Sequence, residues 1–146
     1  MNEPAYPFQE GPLEYTYRFE SVSEQAVIQK VVLFTETSRA GLFNMALVDE
    51  LSDGELSDIV VSNNEDLIMV LATVFRIAEH FLNRSPSYGI IFQGSDERRT
   101  RLYRIAISRE LAVLSKTYEL FGFKNDRFTL FQSNQDYERF LIRRRS

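Results

Sequence analysis

Four arginines crowd into seven consecutive positions, directly after a short apolar run and a Gly-Ser pair. A planar guanidinium donates paired hydrogen bonds to carboxylates and phosphates. If a helix begins at this point, its unpaired first-turn amides and partial positive charge also favour an anion. The segment therefore predicts an anion-binding site made of Gly94, Ser95, Arg98, Arg99, Arg101 and Arg104.

The alternative is that these arginines are structural and pair with carboxylates inside the fold. Residues 1–94 carry 5 Lys and Arg against 14 Asp and Glu, a net charge of −9, whereas residues 95–146 carry 12 against 7, a net +5. The arginines of the basic half could therefore form ion pairs with carboxylates of the acidic half. We expect Arg101 to be structural, because its neighbour Leu102 would anchor the helix to the core. We expect Arg98 and Arg104 to be exposed and to contact the ligand.

The elements that must position these arginines follow from the hydrophobic periodicity. Alternating and β-branched residues predict four strands, and Asp53-Gly54 is typical of the last hairpin turn. A capped, amphipathic segment then predicts a helix, and the run YGIIFQG predicts a central strand covered on both faces. These elements lie near residues 15–20, 26–37, 42–50, 55–62, 64–83 and 88–94.

The second helix should begin near Glu97, after an Ser95 or Asp96 cap, and run to about Glu119. Ser108 marks a point where it could break, and Gly122 should end it. Leu102, Ile105 and Ala106 would take its buried side. Strands at 127–133 and 137–145 complete the chain.

This order predicts an α+β domain: a four-stranded antiparallel meander, helix, strand, helix and two strands, with the helices packed on one face of the sheet. Residues 1–12 contain three of the four prolines and predict an extended arm. Residues 13–146 then form a single domain.

Other candidate groups favour structural roles. The strand residues Tyr15, Tyr17 and Phe19 could stack bases, but such a stripe is more typical of a core. The lone His80, near a helix end, is typical of a surface or capping position. Arg143, Arg144 and Arg145 are typical of a charge-blunted edge or tail.

The acidic stretch 49–58 predicts a solvated hairpin and not a calcium loop, because Leu51 and Val60 stand where oxygen ligands are needed. No carboxylate pair stands out for acid–base chemistry. The sequence predicts no catalytic residue, no metal site and no cofactor.

The composition excludes several classes of protein and site. The chain has no cysteine, which excludes disulfides and thiolate metal sites. It lacks 18 consecutive apolar residues, so we expect neither a spanning helix nor a membrane partner. The first 12 residues lack the features of a signal peptide, and a cytoplasmic location is expected.

Three functions fit these observations. The first is a binding module whose arginine cluster holds an anionic partner, such as nucleic acid or another phosphate-bearing or acidic partner. The second is a protein-interaction or structural domain whose arginines pair internally. The third is a phosphate-ester enzyme with an arginine clamp, for which no nucleophile stands out.

Residues 94–103, GSDERRTRLY, resemble an uncharacterised bacterial family of domains of unknown function, whose motif is a Gly-Ser pair followed by Arg-Thr-Arg-Leu-Tyr. The motif matches Gly94, Ser95 and residues 99–103, with one extra residue before Arg99. Further similarity lies in KVVLFT, LATVFRIAEHF, ELFGF and YERFLIRRR. The resemblance implies a small α+β domain and no activity. The order of elements is also similar to half of a PUR or Whirly domain, which binds single-stranded nucleic acid.

Overall fold

The computed structural model describes residues 5–23, 27–50, 56–57, 66–94 and 96–145. Within them the chain forms two helices and nine strands. The strands are β1 Gln9–Glu10, β2 Thr16–Val22, β3 Val27–Glu36, β4 Leu42–Glu50, β5 Leu56–Ser57, β6 Gly89–Phe92, β7 Tyr118–Lys124, β8 Arg127–Leu130 and β9 Arg139–Arg144. The helices are α1 Leu67–Leu82 and α2 Glu97–Leu114.

The strands form one mixed sheet in the order β1-β2-β3-β4-β6-β9-β7-β8, with β5 also paired to β4. All pairs are antiparallel except β4 with β6, which α1 joins as a crossover. This is the predicted α+β class, and β2, β3, β4 and β5 form the predicted antiparallel run. Only residues 56–57 of the fourth predicted strand are described, and the Asp53-Gly54 turn lies outside the described residues.

Both helices pack on the same face of the sheet, as predicted. Phe34, Met45, Phe92 and Phe140 are register partners across β3, β4, β6 and β9, so their side chains share one face. From α1, Phe81 stacks on Phe34 with ring centroids 3.9 Å apart. From α2, Tyr103 meets Phe92 edge to face at 5.2 Å. These rings form the centre of the core.

The strand β6 has β4 on one side and β9 on the other, which confirms the predicted central position. Ile90 and Phe92 are buried at 0% and 1% exposure. Ile91 points to the opposite face and is only half-buried, so the prediction that both faces are covered was wrong. No described helix covers that second face.

The buried side of α2 differs from the prediction. Its buried residues are Tyr103, Ile107, Glu110 and Leu114, whereas Ile105 is 43% exposed. The buried side of α2 includes Glu110. Because a carboxylate is rarely buried, the sequence pattern did not indicate this side as the buried one. Burial raises the pKa of Tyr103 to about 12, consistent with its place beneath the helix.

The end of α2 was also mispredicted. The helix continues through Ser108 without a break and ends at Leu114, and the next seven-residue strand, β7, was missed. Tyr118 and Leu120 alternate with half-buried neighbours, which is strand periodicity. Gly122 lies inside β7, where a Cβ atom would approach the Tyr137 ring to 2.2 Å. It is therefore a close-approach glycine and not a helix end.

The described residues of the predicted arm, 5–12, lie against the sheet and the first helix. Residues 9–10 pair with β2. Tyr6 stacks on Phe19 with ring centroids 6.0 Å apart, and its amide donates to Thr73 Oγ1 of α1 at 2.9 Å. The arm is therefore tied to both the sheet and the first helix.

Candidate anion-binding site

The turn between β6 and α2 is built by Gly94 and Asp96. The Gly94 amide donates to Thr100 Oγ1 at 3.0 Å, and a Cβ atom on Gly94 would lie 2.4 Å from the Thr100 nitrogen. Asp96 is the N-cap residue and its carboxylate accepts from the Arg99 amide at 2.8 Å. Gly94 thus fixes the approach of strand to helix, while Ser95 lies outside the described residues.

The first turn of α2 already has carboxylates of its own. Asp96 accepts one first-turn amide, and Glu97 follows at the first helical position. Both complement the positive end of the helix dipole. The capacity to hold a further anion therefore depends on the arginine side chains.

Two of the four arginines are held by neighbouring groups. Arg99 Nη1 pairs with Asp96 Oδ2 at 2.5 Å. Arg104 Nη1 pairs with the Asp136 carboxylate and donates to the Gln135 carbonyl oxygen at 3.1 Å. Their side chains are only 25% and 20% exposed. These contacts tie the start of α2 to its own cap and to the loop before β9.

The other two arginines face solvent. Arg98 and Arg101 are exposed, and neither has an ion pair or hydrogen bond with another side chain in the part of the chain that the structure describes. They lie three residues apart, so they are neighbours on the helix surface. The expected roles of Arg101 and Arg104 are therefore exchanged: Arg101 is exposed, and Arg104 makes the structural contacts. The reason is that Tyr103 and Ile107, not Leu102, mark the buried side of the helix.

An apolar groove runs beside these arginines, between α1 and α2. It encloses about 190 Å³. Leu67 and Ile68 of α1 are 45% and 50% exposed there, and Ile105 of α2 is 43% exposed. The sequence pattern missed this groove because it assigned Ile105 to the buried side of α2.

Part-buried polar contacts at the start of α1 and a buried cross-strand ion pair were also missed. The Asp66 carboxylate accepts from Ser21 Oγ at 2.5 Å and from the Tyr6 hydroxyl. Lys30 and Asp49 form a buried cross-strand ion pair, at 7% and 4% exposure. These side chains come from five separate segments, so no local spacing could reveal them. The Asp66 contacts fasten the arm and β2 to the start of α1, and the Lys30–Asp49 pair joins β3 to β4. Burial raises the pKa of Tyr6.

The other residues considered as candidate functional groups have the following positions in the structure. Tyr17 and Phe19 are buried in the core, at 0% and 3% exposure, so they cannot stack bases. His80 is exposed, with its Nε2 3.4 Å from a Glu10 carboxylate oxygen. Most of the acidic stretch 49–58 lies outside the described residues.

The C-terminal arginines lie on or just after β9, which is an interior strand, so their prediction as an edge was wrong. Arg143 donates to Glu119 at 3.1 Å and covers the Phe121 ring at 4.9 Å. Arg145 donates to the Ser115 carbonyl oxygen at 2.5 Å. Both side chains are used in contacts within the fold.

The described residues contain no group of three or more His, Cys, Asp or Glu side chains that could hold a metal ion. Neither described helix is long and apolar enough to cross a membrane.

A family model agrees with the resemblance seen in the sequence. The model of a family of unknown function, DUF6934, matches residues 2–145. The chain belongs to this family. No curated protein and no solved structure matches the chain, so the similarity to PUR and Whirly domains finds no support. Membership of DUF6934 covers nearly the whole chain and assigns no activity.

Proposed function

We propose that this DUF6934 member is a binding module that holds an anionic partner at Arg98 and Arg101. The observation that supports the proposal is the exposure of these two neighbouring guanidiniums without ion pairs among the described residues. Holding like charges side by side is unfavourable for an isolated helix. A ligand carboxylate or phosphate would relieve that repulsion.

The remaining residues of the predicted site position this pair. Gly94 lets β6 approach the first turn of α2, whereas Ser95 lies outside the described residues. Arg99 and Arg104 fix the helix through Asp96 and through the 135–136 loop. Gly94, Arg99 and Arg104 are supports of the site, and the ligand contacts belong to Arg98 and Arg101.

The test compares Arg98→Gln/Arg101→Gln with a control, Arg39→Gln/Arg127→Gln, which removes the same charge from two other exposed arginines. Binding of inorganic polyphosphate and of a labelled single-stranded oligonucleotide is measured at low salt. Exposed charge contacts contribute about 0.2–1 kcal/mol each, so the site variant should bind roughly two- to thirtyfold more weakly. The control should bind like the wild type.

Equal losses in the two variants would show that binding depends only on net charge. No binding of either probe to the wild type, together with none to acidic peptides, would also contradict the proposal. The urea midpoint of the site variant should stay close to that of the wild type, because no internal contact is removed.

A further inference from the structure

The groove between α1 and α2 brings together aliphatic side chains that the fold leaves partly exposed. Leu67, Ile68 and Ile105 are 43–50% exposed on its two walls. Single exposed apolar residues are ordinary, but a group that converges in one groove is typical of an interaction site. Its volume of about 190 Å³ is below the roughly 300–1,000 Å³ of small-molecule pockets. It is suited to a few side chains of a docked polypeptide.

The exposed arginines border this groove. Arg98 lies four residues before Leu102, and Arg101 lies four residues before Ile105, so each guanidinium is one helical turn from a groove residue. Farther along α2 the groove is lined by Arg109 and by the buried Glu110, so the positive charge is concentrated at the end that Arg98 and Arg101 border. A partner whose apolar side chains enter the groove would therefore bring its flanking groups against positive charge. Charge complementarity requires those groups to be carboxylates or phosphates.

The lining favours a polypeptide over a nucleic acid. Proteins that bind single-stranded nucleic acid stack its bases on exposed rings, whereas Phe75, the one aromatic side chain among the described residues that line the groove, is 1% exposed. Apart from Arg109, the exposed lining is aliphatic instead. An amphipathic helix places apolar anchors at i, i+3, i+4 and i+7 into such a groove.

We infer that the α1–α2 groove docks an acidic amphipathic helix of a partner protein, with apolar anchors on Leu67, Ile68 and Ile105 and carboxylates on Arg98 and Arg101. The inference rests on the proposed function and names the chemistry of the partner. It requires the apolar and charged contacts to act together. Loss of either set should therefore weaken binding.

The test uses a synthetic helical peptide of about 16 residues, with leucine at the anchor positions and glutamate at most others. A scrambled peptide of the same composition and a single-stranded oligonucleotide serve as comparison probes. The variants are Ile68→Ser and Arg98→Gln/Arg101→Gln. The control is Leu130→Ser, which changes a 61% exposed leucine on β8. Binding is measured by fluorescence anisotropy, and circular dichroism verifies the fold of each variant.

We expect the amphipathic peptide to bind more tightly than the scrambled one. Both groove variants should weaken binding of the amphipathic peptide by about twofold or more, while Leu130→Ser should not. Equal binding of the two peptides, or peptide binding indifferent to Ile68→Ser, would overturn the inference. If only the oligonucleotide binds, and needs Arg98 and Arg101, the inference fails but the proposed function stands. Failure of every anionic probe overturns both.

Sedimentation of the protein alone tests a second copy of this chain as the occupant. A dimer that Ile68→Ser dissociates, with no peptide binding, would assign the groove to self-association and overturn the inference. We expect Ile68→Ser to leave the sedimentation coefficient unchanged.

Discussion

At the scale of single residues, the four crowded arginines have two different environments. Arg99 and Arg104 meet carboxylates within the fold, whereas Arg98 and Arg101 face solvent. Residue type and spacing predicted the cluster but not this division. The division depends on how α2 is rotated about its axis and on the 135–136 loop, which is 31 residues from Arg104 in the chain.

The division predicts unequal effects on stability. Arg104→Gln loses a charged hydrogen bond to a carbonyl and an ion pair to the exposed Asp136, and should lower the free energy of unfolding by about 1–2 kcal/mol. Arg101→Gln should change it by less than about 0.5 kcal/mol. Urea midpoints measure both. A cost for Arg101→Gln equal to that for Arg104→Gln would place Arg101 among the structural residues.

Glu79 predicts a pH-dependent effect. Burial raises the pKa of this α1 carboxyl above its ordinary value of 4.5; the Glu110 carboxylate adds to the rise, and Arg76 opposes it. The folded state then binds the proton more tightly than the unfolded state, so Glu79 destabilises the fold most above its raised pKa. The penalty declines as the pH falls towards and below 4.5. Glu79→Gln should therefore raise the urea midpoint at pH 7, with the gain disappearing below pH 4.5.

The exposed Glu138→Gln is the control for that measurement, because it removes the same charge from a side chain on the surface. A gain for Glu79→Gln that persists unchanged at pH 4 would contradict the assigned cause. So would an equal gain at pH 7 for Glu138→Gln.

At the scale of elements, Gly122 tests whether this part of the chain is the strand β7 and not the end of α2. Ala at position 122 would press on the Tyr137 ring, whereas Ala at the strand glycine 89 would meet its nearest neighbour, Leu42 Cδ1, at 3.4 Å. Overpacking costs about 1–3 kcal/mol, so Gly122→Ala should lower the free energy of unfolding by that amount relative to Gly89→Ala. Equal urea midpoints for the two variants would contradict the close approach to Tyr137.

The elements that the sequence predicted correctly are those with strong local signals. Leu67 to Phe81 have helical spacing, and Ile90 to Phe92 form an apolar run, so α1 and β6 were found. By contrast, β7 follows α2 after three residues, and its apolar positions also fit a continued helix. These residues form a strand because they pair with β8 and β9. Such non-local pairing cannot be seen in the sequence of a single segment.

At the scale of the whole molecule, the charge asymmetry between the two halves is not resolved by the described ion pairs. Arg18–Glu50 and Lys30–Asp49 join residues of the acidic half. Arg104–Asp136 and Arg143–Glu119 join residues of the basic half. Arg98 and Arg101, at the start of α2, belong to the basic half and have no ion pair within the described residues. The sequence showed the asymmetry, but only the fold showed where the excess lies.

The central claim, that Arg98 and Arg101 receive the anion, is tested most directly by observing the guanidinium groups themselves. The Nε–Hε resonances of a ¹⁵N-arginine-labelled sample are assigned with single Arg→Gln variants. They are then followed by NMR during titration with polyphosphate and with the acidic amphipathic peptide. With at least one of these probes, the signals of Arg98 and Arg101 should shift in a saturable manner, while those of Arg39 and Arg127 stay in place. Shifts centred on other arginines, or no saturable shift at Arg98 and Arg101 with either probe, would contradict the account.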